Sequence, residues 1–118
     1  MSCVNYQCIK PVYTLWLSKD GGKYFGPGIA MLMEGIKRTG SLSSAAKEIG
    51  MAYSKAWRII KRSEELAGCK LLLTRTGGAK GGGAGLTRDA EQILSDFTAF
   101  SKEVDTEIER TFRKYFAD

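Results

Sequence analysis

The chain has 118 residues, 43% of them hydrophobic, enough for one cored domain and too few for two ordinary ones. It has no histidine and three cysteines, and neither a nucleophile motif nor paired carboxylates framed by loop glycines, so the usual acid–base and triad chemistries lack their parts and an enzyme is not expected. The net charge of +5 is modest but uneven: residues 52–88 hold eight cations (Lys55, Arg58, Lys61, Arg62, Lys70, Arg75, Lys80, Arg88) against Glu64 and Glu65, leaving the remainder at −1. Such a concentration fits a polyanionic partner, because neutralising phosphates releases condensed counterions; a solvated helix face is the plainer alternative.

Residues 1–10 read as a tail containing Cys3 and Cys8. With Cys69 remote in sequence and no histidine, these thiols make at most a weak case for a metal or redox site, and no metal or cofactor is expected. No secretory signal and no membrane-spanning apolar run is visible, so a reduced cytoplasmic setting is expected, on the nucleoid if the chain binds DNA. Pro11–Leu17 alternates with β-branched and aromatic residues, Asp20-Gly21-Gly22 offers a tight turn, and Lys23-Tyr24-Phe25 follows. This predicts a β-hairpin over 11–25.

Ile29, Leu32, Met33 and Ile36 mark one face of a first helix that closes at Thr39-Gly40. Leu42, Ala45, Ala46 and Ile49 repeat that rhythm in a second, short helix, with Ser41 or Ser43 as its cap and small alanines that let another helix approach closely. Gly50 supplies the turn. In a third helix Ala56, Ile59, Ile60 and Leu66 point inward, while Ser54, Lys55, Arg58, Lys61 and Arg62 recur on the other face. Two short helices broken at a glycine, the second basic on its outer side, have the form of a helix-turn-helix, in which one helix braces on the DNA backbone and the next enters the major groove.

Gly68 ends the third helix, and Lys70–Arg75 reads as a short buried strand. Thr76–Gly85 then has six glycines in ten residues and stands where the wing of a winged helix belongs, with Lys80 at its tip. A phosphate-binding loop is excluded because Gly81, not Ser or Thr, follows Lys80; a plain flexible linker is the competing reading. Thr87 can cap a last helix over 88–116, with Asp89 and Glu91 well placed at its positive end. Ala90, Ile93, Leu94, Phe97, Phe100, Val104, Ile108, Phe112 and Tyr115 continue to its end at three- and four-residue steps. Such a helix would be roughly 40 Å long, more than a three-helix core can cover. A homodimer through Phe97, Phe100, Val104, Ile108 and Phe112 is expected over the alternative, a helix wrapped back on its own domain and hairpin.

The order of hairpin, helix, Ser41-Leu-Ser-Ser-Ala-Ala-Lys47 helix, recognition helix, wing and long helix resembles the LysR-type winged helix-turn-helix. More closely, Gly50-Met-Ala-Tyr-Ser-Lys-Ala-Trp57 and Thr76–Thr87 are similar to the DNA-binding domain of the ModE family of molybdate-responsive transcription regulators, over roughly Tyr13 to the C-terminus. The resemblance implies a mainly α fold with small β-hairpins, a single domain with its winged core at 28–87, and a double-stranded DNA partner. It implies that Ser43 and Ser44 touch phosphate, that Tyr53, Ser54 and Lys55 lead the recognition helix into the groove, and that Arg58, Lys61 and Arg62 anchor it. Trp57 faces DNA or the wing by the resemblance, whereas its periodicity equally allows a core tryptophan. Arg75 serves phosphate or merely sits beside the strand, and Lys80 supplies charge at the wing tip. Full-length members carry a C-terminal oxyanion-binding domain to which nothing here corresponds, so molybdate is not expected on this chain. The expected function is a homodimeric, sequence-specific DNA-binding regulator; a winged-helix protein-interaction module without specific readout is the alternative.

Overall fold

The computed structural model describes residues 3–75 and 83–117, with Arg75 described through its backbone alone. Among these the chain runs β1 (Leu17–Lys19), β2 (Gly22–Phe25), α1 (Pro27–Thr39), α2 (Leu42–Glu48), α3 (Tyr53–Ala67), β3 (Leu72–Arg75), β4 (Gly83–Leu86) and α4 (Arg88–Phe116). It is a winged helix-turn-helix with an N-terminal hairpin and a long last helix. Lys80 and the rest of 76–82 lie outside the described residues.

The N-terminal hairpin starts at Leu17 rather than at Pro11. Its partner strand ends at Phe25, because Gly26 and Pro27 follow and proline has no N–H for a ladder. Asp20 (φ 50°) and Gly21 (φ 76°) both take the left-handed conformation, which gives a two-residue turn whose twist suits antiparallel strands. Lys19 pairs with Gly22 across it. α1 begins at Pro27, ahead of its first buried position Ile29. Proline is tolerated there because the first-turn N–H groups have no helical partner.

Ser41 resolves the choice of cap for α2: its Oγ accepts the Ser44 amide at 3.0 Å. α1 and α2 cross where Gly35 meets Ala45, and a Cβ on Gly35 would lie 2.7 Å from the Ala45 Cβ. The small alanines of α2 therefore work together with a glycine on α1. Gly50 (φ 68°) turns the chain into α3.

Two apolar clusters share α1 as a common wall. Leu32 and Ile36 face Leu42, Ala45, Ala46, Ala56, Ile60 and Leu72, while Ile29 and Met33 face Phe25, Leu71, Ala90, Leu94 and Phe97. Ile59 is partly buried against both. α3 also buries Ser63, a position outside the apolar pattern; its hydroxyl donates to the Tyr24 carbonyl at 2.6 Å and ties α3 to β2.

Of the expected buried strand at Lys70–Arg75, Leu71 and Leu72 are buried, whereas Leu73 is 51% exposed. β3 and β4 form an isolated antiparallel pair, so only one of its faces meets the helices and the alternation sends Leu73 outward. The glycine tract is not loop throughout. Gly83–Leu86 pairs with β3 in the register Leu72↔Leu86 to Arg75↔Gly83, and the Ala84 amide donates to the Gly40 carbonyl at 2.8 Å, fastening the wing to the end of α1.

Thr87 caps α4 by accepting the Ala90 amide at 3.1 Å, with Asp89 and Glu91 in the first turn. The same threonine donates its hydroxyl to the Lys70 carbonyl at 2.8 Å and its amide to the Leu71 carbonyl at 3.1 Å. The 29 residues of α4 span about 43 Å, yet only Ala90, Leu94 and Phe97 of them are buried. The helix thus runs beyond the core. The radius of gyration is 18.4 Å and the long dimension 71 Å, against a radius of about 13–14 Å for a compact chain of this length.

Candidate nucleic-acid interface

α3 is sorted by its helical repeat into three outward strips. Ser54, Arg58 and Lys61 lie opposite the buried Ala56, Ile60 and Ser63. Tyr53 and Trp57 flank them on the wing side, and Lys55 and Arg62 on the other. No side chain among the described residues caps the start of α3, so its first-turn amides are left for an outside acceptor, and the partial positive charge of the helix end favours an anion.

Tyr53 is 53% and Trp57 37% exposed, so Trp57 is not a core residue. The two rings, one turn apart, stand in an open cleft of about 260 Å³ with Ser41 and Ser43 on one side and Thr74, Gly83 and Ala84 of the wing on the other. Ser43 and Ser44 are exposed at the start of α2. The fold thus brings Ser43, Tyr53 and Trp57 together at the wing root, with Ser54 and Arg58 adjoining.

The cations differ in their engagement. Lys55 and Arg58 are exposed and form no ion pair among the described residues. The Lys61 ammonium lies 3.0 Å from a Glu64 carboxylate oxygen and 4.4 Å from the centroid of the Trp57 ring. Arg62 is not gathered at the cleft: its guanidinium lies against Gly22 of the hairpin turn and 3.5 Å from Glu65. Of Arg75 the backbone alone is placed, paired with Gly83.

Glu64 was not singled out by composition or motif. Its second oxygen accepts the amides of Leu71 at 2.8 Å and Leu72 at 3.0 Å, at the entry to β3. Burial alone would raise its pKa, but the two backbone donors and the Lys61 ammonium outweigh that, and the carboxyl is held below its ordinary range. The signal that could have found it is the spacing Trp57, Lys61, Glu64, which puts all three side chains on one helical strip.

Cys3 and Cys8 are exposed and Cys69 is half-buried. Partial burial, then the nearby Asp89 carboxylate, pushes the Cys69 thiol up, away from the reactive thiolate form. No cluster of His, Cys, Asp or Glu fit to hold a metal occurs among the described residues. No helix among them is long and apolar enough to cross a membrane.

Phe97, expected on the dimer face, is 6% exposed and packs on Phe25 at 5.1 Å between ring centroids. It belongs to its own core. The unburied stripe begins at Phe100 and continues through Val104, Ile108 and Phe112, walling an open groove of about 570 Å³ together with Pro11 and Phe116. The segment ahead of the hairpin lies along the same helix: the Tyr13 hydroxyl donates to Asp105 and the Tyr6 ring meets Phe116 edge-on at 5.2 Å.

The family described as "Bacterial regulatory helix-turn-helix protein, lysR family" matches residues 31–91, the span from α1 through the wing into α4. The chain belongs to the lysR family. Among curated proteins, the molybdenum-pterin-binding protein MopB of Rhodobacter capsulatus is 34% identical over 88 residues, covering 75% of this chain and 32% of MopB. The molybdenum transport protein ModE of Azotobacter vinelandii is 32% identical over 94 residues, covering 80% and 35%. The DNA-binding transcriptional dual regulator ModE of Escherichia coli (strain K12) is 38% identical over 63 residues, covering 53% and 24%. This lysR-family chain spans about a third or less of the length of these curated relatives, and what it shares with them is a ModE-type helix-turn-helix domain.

Proposed function

We propose that this lysR-family domain is the reading head of a transcriptional regulator, binding double-stranded DNA sequence-specifically as a homodimer. The observation that carries the reading is the exposed strip of α3, where Tyr53, Ser54, Trp57 and Arg58 stand beside the wing root rather than packing inward. A helix of that width fits the major groove, the rings and hydroxyls meet base edges and sugars, and Lys55, Arg58 and the wing take phosphates. Ser43 and Ser44, exposed at the start of α2, brace the neighbouring backbone. Relatives named as DNA-binding regulators support the same reading.

The α4 stripe supports the dimer. Phe100, Val104, Ile108 and Phe112 continue the helical repeat beyond the core, and a second copy of α4 would cover them while giving the two-fold symmetry that paired half-sites require.

The test is electrophoretic mobility shift on sites selected from a random-sequence duplex pool, measured between 50 and 200 mM salt. Selected duplexes should bind roughly 10³-fold or more tightly than scrambled ones, and affinity for both should fall steeply with salt. Selection that returns no enriched sequence would remove the specific-reader reading and favour a protein-interaction module.

A further inference from the structure

Resting on the DNA-binding reading, we propose that Glu64 is a positioning residue that couples the recognition helix to the wing and masks the charge of Lys61. One carboxylate oxygen accepts the Leu71 and Leu72 amides, 2.8 and 3.0 Å away, and fixes the entry to β3. The other holds the Lys61 ammonium at 3.0 Å, and that ammonium in turn lies over Trp57 at the cleft. A single side chain, 11% exposed, thus sets both the start of the wing and the orientation of an aromatic ring on the DNA-facing strip. The ionised carboxylate also compensates the Lys61 charge, so this lysine contributes less to indiscriminate phosphate binding than its position in the basic strip implies.

Two consequences follow for Glu64→Gln, which keeps the shape and removes the charge. The wing and Trp57 lose their common anchor, so discrimination falls. Lys61 is unmasked, so binding to any duplex becomes more dependent on salt. These effects move in opposite senses, which a merely structural role for Glu64 would not produce.

The experiment compares wild type, Glu64→Gln and Lys61→Met on a selected duplex and a scrambled duplex of the same composition, across a salt series. In Glu64→Gln the ratio of specific to scrambled affinity should fall about tenfold, the worth of one base-pair contact. Its affinity for scrambled DNA should rise at low salt, with a salt slope steeper by up to about 0.9. Lys61→Met, which leaves the wing amides bonded to Glu64, should lose discrimination with no steepening. If Glu64→Gln folds poorly, an unchanged ratio in Lys61→Met overturns the proposal by itself. An equal loss on both duplexes in Glu64→Gln overturns it as well, as does an unaltered ratio and slope. Without DNA, the amide resonances of Leu71 and Leu72 and the Trp57 indole N–H resonance should shift together in Glu64→Gln. Amide shifts with a stationary indole overturn the coupling even if the wild type proves to lack sequence preference, which separates the two readings.

Discussion

At the scale of single residues, Gly35 and Glu64 show how local chemistry decides the placement of larger parts. Gly35→Ala would gain roughly 1 kcal/mol of helix propensity, but its Cβ would lie 2.7 Å from the Ala45 Cβ and 3.1 Å from the Ala45 Cα. Neither atom can swing aside. The crossing of α1 and α2 must open, so a net loss of about 1–2 kcal/mol is expected, read as a lower urea midpoint at constant slope. For Glu64 the sign follows from its lowered pKa in the fold. Its contribution to stability is present above the ordinary glutamate value near 4.5 and is lost as pH falls through the lower folded value. Wild type should therefore lose more stability than Glu64→Gln between pH 6 and pH 3.5 in parallel urea titrations. Neither role is visible in composition. Gly35 reads as an ordinary weak point in an apolar helix until α2 is laid across it, and the amides that Glu64 accepts belong to a strand entry fixed only by tertiary structure.

At the scale of elements, legibility followed periodicity. α1, α2, α3 and α4 were readable because apolar spacing, Ser41, Thr87 and the closing glycines all point to the same boundaries. The strands were less so. Pro11–Trp16 alternates like a strand but finds no strand partner among the described residues, since pairing depends on where β2 stops, and Leu73 is exposed because none of the described residues covers that side of the wing. Gly83 and Gly85 joined β4 although glycine is a poor strand former, held by the ladder to β3 and the bond from Ala84 to Gly40. Part of the candidate site was legible: the basic strip on α3 was, whereas the withdrawal of Arg62 to the hairpin turn was not. On α4 the expected five-residue dimer stripe loses Phe97 to the core. Replacing Val104 and Ile108 together by glutamate should leave folding intact, because both lie beyond the last buried position of the helix. It should convert a dimer to a monomer, measured by sedimentation equilibrium, and weaken binding to a two-half-site duplex at least tenfold while sparing a single half-site.

At the scale of the whole molecule, the proposed function assigns reading to the winged core and pairing to the projecting helix. The proposed two-fold dimer through α4 would present its α3 helices to half-sites on one face of the duplex, about one helical turn or a multiple of it apart. Lengthening the spacer of a selected site by five base pairs turns one half-site to the opposite face, so affinity should fall to that of a single half-site. Lengthening it by a full turn should restore part of it. Gel shifts on a spacer series check both outcomes.

The overhang of α4 also makes it a lever. Residues 98–116 extend about 28 Å past the last buried side chain. Over that arm a tilt of about 7° displaces the tip by roughly 3.4 Å, the rise of one base pair. If the proposed dimer pairs at the far end of the arm, a slight change in the angle between two α4 helices would re-gauge the distance between the reading heads by a whole step of DNA. Anything that leaned on the outer turns of this helix would then change which spacing the proposed dimer favours without touching the exposed strip of α3.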